Sequence, residues 1–183
     1  GIFGSSETKC LAQQINLLPK SFFTGISIVM FSVILYQPEI PPNTGNIIRL
    51  CANTGCKLDL IEPLGFHWDD KALIRAGLDY HEFAQTQKYS SWEMWRNNNQ
   101  NCRVVAFTTK GSSRYDRFKF QAGDCLLFGP ETRGLPDNVL EDFPTELRLR
   151  IPMVSTSRSL NLSNTVSIGI FEAWRQIEFS GNK

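Results

Sequence analysis

The chain has almost no surplus of charge: 19 Lys and Arg stand against 18 Asp and Glu, a net of +1 over 183 residues. No global basic field announces a nucleic-acid partner, so any RNA site has to be a local patch. Histidine is scarce, with only His67 and His81. The five cysteines (Cys10, Cys51, Cys56, Cys102, Cys125) are odd in number and form no Cys-x-x-Cys pair. That excludes a zinc site with recognisable ligand spacing and argues for reduced thiols in a cytoplasmic setting. The apolar stretch from Ile26 to Tyr36 falls short of the roughly 20 residues that cross a bilayer. A secretory leader built on it would consume the first convincing strand. Neither a dinucleotide fingerprint nor a phosphate-binding loop with its terminal Lys-Ser/Thr pair is present. Internal repeats, low-complexity tracts and a dividing linker are lacking too.

What is present suits one domain. Hydrophobic residues make up 42% of the chain, enough to bury a core at this length. Residues 1–29 match no element rhythm and are read as an extension outside the fold, leaving residues 30–183 as the domain. Phe31–Tyr36, Val104–Phe107 and Cys125–Phe128 are continuous apolar runs of the kind that form strands buried on both faces, and Leu58–Ile61 and Leu147–Ile151 read as further short strands. After Pro38, Pro41 and Pro42, an extended loop is expected, with Asn43 or Thr44 capping a helix that ends at Gly55. Asp69 or Asp70 opens a helix closed by Gly77, and Ser90 or Ser91 opens another carrying Trp92 and Trp95. Pro136–Leu140 suggests a short helix. The last runs from about Ser163, with Ser163 or Asn164 as its cap, to Phe179, with an apolar stripe at Val166, Ile170, Trp174 and Ile177. Strands alternating with helices imply an α/β fold, a mostly parallel sheet covered on both faces. Ligands of such sheets bind beyond the carboxyl ends of the strands, which directs attention to the loops after Tyr36, Phe107, Phe128 and Ile151.

Each of these loops is ambiguous alone. Asn43 and Arg49 are either a cap and a surface arginine or a helix-borne phosphate contact. Gly129-Pro-Glu-Thr-Arg-Gly-Leu135 is either a plain turn or a backbone that lets a ligand approach closely. Pro152–Asn164 is rich in hydroxyls and amides, which satisfy irregular backbone or bind polar ligands. From Arg103 to Lys119, five positive residues (Arg103, Lys110, Arg114, Arg117, Lys119) accompany one acid, Asp116. That stretch is either a solvated face or a phosphate track.

Taken in order, Asn43 with Arg49, then Gly129-Pro-Glu-Thr-Arg-Gly-Leu135, then Ile151-Pro-Met with Ser159-Leu-Asn-Leu-Ser-Asn164, resemble the three signature motifs of the SPOUT RNA methyltransferases. Pro42-Asn-Thr-Gly-Asn-Ile-Ile-Arg-Leu-Cys-Ala-Asn-Thr-Gly55, Glu62-Pro-Leu-Gly-Phe66 and Gly77-Leu-Asp-Tyr-His81 resemble the TrmL subgroup, which acts on the wobble ribose of tRNA. The resemblance covers Met30 to about Gln176. It implies an α/β sheet whose C-terminal part forms a deep trefoil knot, with S-adenosylmethionine bound bent in the knot loops and S-adenosylhomocysteine as product. Carried over residue by residue, Phe107, Gly129, Ile151, Ser159 and Leu160 would contact the cofactor. Phe107 departs from the smaller aliphatic residue of close relatives, which implies a slightly reshaped adenine pocket. Arg49 would help activate the 2'-hydroxyl, with Asn43, Glu131 and Asn161 organising the site. Lys110, Arg114, Arg117, Arg133 and Arg158 are expected to contact tRNA. A homodimer is implied, with no metal and no membrane partner. The resemblance leaves room for 2'-O-methylation of another tRNA position or of ribosomal RNA, and for a non-catalytic knotted RNA-binding dimer.

Overall fold

The computed structural model describes residues 31–69, 86–157 and 159–181. Seven strands form one sheet in the order β3-β2-β1-β6-β4-β7-β5, every pairing parallel. The strands are β1 (Ser32–Tyr36), β2 (Lys57–Ile61), β3 (Thr86–Tyr89), β4 (Val104–Phe107), β5 (Ser113–Arg114), β6 (Cys125–Phe128) and β7 (Arg148–Arg150). The order is not a simple winding. After β1 to β3 build one half and β4 and β5 the other, β6 enters between β1 and β4, and β7 enters between β4 and β5. The chain thus returns twice into the interior of a sheet whose flanking strands precede it.

Among the described residues four α-helices accompany these strands: α1 (Pro41–Thr54), α2 (Trp92–Asn98), α3 (Asp137–Leu140) and α4 (Leu162–Gln176). The central runs alternate between two cores, as a pleated strand covered on both faces must. Val33, Leu35, Val105, Phe107, Leu126 and Phe128 face α1 and α4. Ile34, Val104, Ala106, Cys125 and Leu127 face the opposite layer, which holds Trp92 and Trp95 of α2 and Val139 and Leu140 of α3. The helix expected between Asp69 or Asp70 and Gly77 lies outside the described residues except for Asp69, and so does the extension at residues 1–29.

Two helix starts differ from the sequence expectation. Pro41 and Pro42 are not loop but the first two residues of α1. Proline fits there because its missing N–H would have no intrahelical partner anyway, and its fixed φ is already helical. Asn43, expected with Thr44 as a candidate cap, is therefore within the first turn of the helix, and its side chain is released for another task. At α4 the cap is Asn161, whose side chain accepts the amides of Ser163 and Asn164, so neither Ser163 nor Asn164 caps. Ser91 caps α2 by accepting the Met94 amide, and Gly55 closes α1 at φ 70°, both as expected, while α4 ends at Gln176, short of the expected Phe179.

A buried charge sits on the α2 side of the sheet. Asp59 of β2 is 1% exposed and accepts from Trp95 Nε1 at 2.7 Å, while Lys57 Nζ lies 3.1 Å from its other oxygen. Burial opposes the Lys57 charge, but the Asp59 carboxylate more than offsets this and holds the ammonium's pKa above its usual value. The thiols of Cys51, Cys56 and Cys125 are buried and free. Burial pushes Cys56 up to about 11 and raises the other two, so all three are inert protonated packing groups at neutral pH. No helix of the described residues is long and apolar enough to cross a membrane.

Candidate active site

The carboxyl ends of β4, β6 and β7 open onto one pocket of about 250 Å³. Three segments line it: Phe107–Lys110 after β4, Phe128–Leu135 after β6, and, after β7, Ile151, Met153, Ser159, Leu160 and Leu162. Of the residues expected at a cofactor site, Phe107, Gly129, Ile151, Ser159 and Leu160 all lie in this lining, together with Glu131, Lys110 and Arg133. Sequence reading did not single out Thr108 and Thr165, and took in Met153 only as part of the Ile151-Pro-Met motif; all three line it as well. The lining mixes apolar side chains (Leu135, Ile151, Met153, Leu160) with the hydroxyl residues Thr108 and Ser159.

Gly129 shows why this loop needs its glycine. A Cβ at this position would fall on the Leu135 amide nitrogen and within 2.5 Å of the Gly134 carbonyl carbon. The chain folds back on itself directly against the strand end, closed by the Gly134 N–H donating to the Pro130 carbonyl at 3.0 Å and by Gly134 at φ 69°.

Besides lining the pocket, Phe107 packs its ring into the core. It stacks on Phe128 at 4.8 Å and on Phe120 at 6.4 Å, and is 5% exposed. Gly169 of α4 lies over it: a Cβ there would stand 3.0 Å from Phe107 Cζ and 3.3 Å from Phe128 Cζ. The larger side chain is thus taken up by the core beneath α4, opposite a helix position kept bare. Alanine in place of a mid-helix glycine ordinarily stabilises by about 1 kcal/mol. Gly169→Ala is expected to gain less than that, or to destabilise, in the wild type, and to recover the gain in a Phe107→Leu background. A double-mutant cycle in urea measures the coupling.

The three residues expected to organise the site form one hydrogen-bonded chain. Glu131 accepts from the Glu39 amide at 2.8 Å, the Ile40 amide at 3.2 Å and Asn43 Nδ2 at 3.1 Å. Asn43, buried at 6% exposure, accepts in turn from Asn161 Nδ2 at 2.9 Å, and Asn161 Oδ1 accepts from the Ser163 amide and hydroxyl. Glu131 closes the start of α1, where the unpaired amides and the helix dipole favour a carboxylate. With three donors on its two oxygens it is engaged as an acceptor. The chain Glu131–Asn43–Asn161 therefore ties the loop after β6 and the start of α4 to the start of α1. Glu39, Gln37 and Thr132 add to this seam: Thr132 Oγ1 donates to Glu39 Oε2 at 2.7 Å, and the Arg133 guanidinium donates to Gln37 Oε1 at 2.7 Å. Glu39 carries no sequence signal beyond its place between two prolines.

The basic residues are distributed less compactly than expected. Lys110, at the pocket rim, pairs with Asp137 Oδ1 at 2.6 Å, and Arg114 forms a two-pronged pair with Asp116. Arg117 is exposed on the turn after β5. Arg49 is exposed on α1, six residues beyond Asn43 and so on a different side of the helix, and does not line the pocket. Arg158 lies outside the described residues. Among them, no group of three or more His, Cys, Asp or Glu side chains is placed to hold a metal ion.

Residues 30–171 match the model of the SpoU rRNA Methylase family. The chain belongs to that family. A relative from Aeromonas hydrophila subsp. hydrophila named tRNA (cytidine(34)-2'-O)-methyltransferase is 57% identical over 153 residues, covering 84% of this chain and 98% of that protein. A solved structure described as giving insights into the 2-OH methylation of C/U34 on tRNA is 43% identical with a TM-score of 0.75, covering 82% of this chain and 97% of that one. A more distant member, the SpoU methyltransferase AviRb from Streptomyces viridochromogenes in complex with the cofactor AdoMet, is 25% identical with a TM-score of 0.67, covering 86% of this chain and 61% of that one. The family's description names ribosomal RNA, whereas the near-full-length likeness of this chain is to proteins whose names point to transfer RNA.

Proposed function

We propose that this chain transfers the methyl group of S-adenosylmethionine to the ribose 2'-hydroxyl of the wobble nucleotide, cytidine or modified uridine, of tRNA. What carries the reading is likeness at 57% identity across 98% of a C34 methyltransferase, in a chain whose motif residues gather at one pocket. The lining fits a charged nucleoside rather than a nucleotide. It offers apolar surface for a base, hydroxyls for a ribose, and charged side chains of both signs, Glu131 with Lys110 and Arg133, for an amino-acid tail. It has no glycine-rich cradle of amides for phosphates. Phe107, Gly129, Ile151, Ser159 and Leu160 would hold the cofactor, which supplies an activated methyl on a sulfonium when bound.

The protein's own work is then orientation and proton removal. Glu131, Asn43 and Asn161, committed to one another, fix the loop geometry and take no proton. An arginine side chain stays protonated and is a poor base, so Arg49 acts through charge and donors. It holds the phosphate next to the target ribose and favours the departing proton's transfer to phosphate or water. Because Arg49 does not line the pocket of its own chain, a homodimer that brings a second α1 to each pocket accounts for its part. Phe171, 47% exposed, with Trp174 and Phe179 beside it, offers an apolar patch on and just beyond α4 for such a contact. The trefoil knot belongs to the same reading, supported by the late entry of β6 and β7 between earlier strands. So does a cytoplasmic location, where the RNA substrate resides.

Tritiated S-adenosylmethionine offered with total tRNA lacking the ribose methyl, and separately with ribosomal RNA, tests the substrate class. Label is expected in tRNA alone; label in ribosomal RNA alone would overturn it. The RNA track Lys110, Arg114, Arg117, Arg133 and Arg158 has its own expectation. Each phosphate that a basic side chain neutralises steepens the fall of log affinity with log salt by roughly 0.7 to 0.9. Arg114→Glu with Arg117→Glu is expected to weaken tRNA binding at least about tenfold at low salt and to flatten the salt slope by one to two such steps. An unchanged slope in filter binding would remove these two residues from the track.

A further inference from the structure

Two carboxylates cross between the same two loops, and only one belongs to the motifs that resemble the family's. Glu131 reaches from the loop after β6 to the amides of Glu39 and Ile40. Glu39 reaches back the other way: its Oε2 accepts the Thr132 amide at 3.1 Å and the Thr132 hydroxyl at 2.7 Å. The segment carrying Glu39 is itself gripped from behind. The Gly65 N–H donates to the Pro38 carbonyl at 2.9 Å, and Gly65 packs so closely that a Cβ would stand 2.8 Å from Glu39 Cα. Glu39 is thus a fixed post, and Thr132, in the pocket lining, is fastened to it.

We infer that Glu39 is a positioning residue for the cofactor pocket, setting through Thr132 the place of the 129–135 loop against α1. The inference rests on the function proposed above. The loop has no regular secondary structure, and its own backbone closes on itself through the Gly134 N–H to the Pro130 carbonyl. Left to itself it would spread over conformers that do not form the pocket, and binding would have to order them first. A clamp that imposes the bound shape beforehand removes that cost from the affinity. Both Thr132 donors end on the same oxygen of Glu39, so the clamp needs one well-placed acceptor and not a negative charge. A glutamine can put its amide oxygen where Oε2 stands. An alanine cannot.

Isothermal titration of the full chain with S-adenosylhomocysteine, with thermal melting alongside, tests this on Glu39→Ala, Glu39→Gln and Thr132→Val. Thr132 is exposed and Glu39 only half-buried, so melting is expected to shift little. Glu39→Ala is expected to weaken S-adenosylhomocysteine about tenfold or more, Thr132→Val about threefold, and Glu39→Gln less than about threefold. Wild-type affinity in Glu39→Ala would overturn the clamp. Equal losses in Glu39→Gln and Glu39→Ala would replace it with a charge effect. If Glu39→Ala fails to fold, Thr132→Val decides: a weakened affinity supports the clamp and an unchanged one overturns it. Wild-type protein that binds no S-adenosylhomocysteine would contradict the proposed function and, with it, any cofactor role for Glu39. Loss in the variants alone cannot be mistaken for that result.

Discussion

Gly129→Ala is expected to abolish measurable cofactor binding while leaving most of the sheet intact. The added methyl has nowhere to go, because the atoms in its way are the backbone of Gly134 and Leu135, not the end of a flexible side chain. Relief requires the whole 129–135 loop to lift off the end of β6. That breaks the seam Glu131 makes with Glu39, Ile40 and Asn43 and opens the pocket wall that the 129–135 loop forms. Overpacking of this kind costs about 1–3 kcal/mol of stability, yet the affinity loss should exceed about a hundredfold, since shape and anchoring fail together. Titration with S-adenosylhomocysteine beside circular dichroism separates the two effects. Retained affinity would mean that the loop does not form the binding wall.

The second large effect is one of stability. Asp59→Ala removes the carboxylate buried against Trp95 Nε1 and the half-buried Lys57 ammonium. Breaking a buried pair by deleting one partner leaves the other without compensation and costs about 3–5 kcal/mol. An indole N–H left unsatisfied adds to that, and partial exposure of Lys57 places the total near the lower end, about 3 kcal/mol. Asp59→Asn keeps an acceptor for Trp95 while losing the charge, and is expected to cost about half as much. Urea unfolding measures both. A cost under about 1 kcal/mol for Asp59→Ala would show that water reaches Lys57 and Trp95 freely in the variant.

The legible parts of the fold were those where one residue type leaves one option. Val104–Phe107 and Cys125–Phe128 have no polar face, so only a strand covered on both sides accommodates them. β3, Thr-Gln-Lys-Tyr, is an edge strand with only Tyr89 buried, and β5 is two residues long; neither carries a pattern that periodicity can detect. The starts of α1 and α4 were misplaced because Asn and Ser announce caps and hydrogen-bonded seams alike. Asn43 proved to be seam and Asn161 both. Strand order was hidden for a different reason: periodicity is local, and nothing in Cys125–Phe128 itself says that it enters between β1 and β4. For the site, the motif residues drew attention to loops that line one pocket. Glu39 and Thr132 escaped because their role appears only when two loops 93 residues apart in sequence meet.

The most direct measurement is the position of the methyl group. Tritium-labelled tRNA from the wild-type reaction, digested and mapped nucleotide by nucleotide, is expected to carry label at the wobble ribose alone, and Arg49→Ala is expected to lower its incorporation by at least about a hundredfold. Label at any other nucleotide, or undiminished label from Arg49→Ala, would contradict the assignment of substrate or of Arg49 respectively.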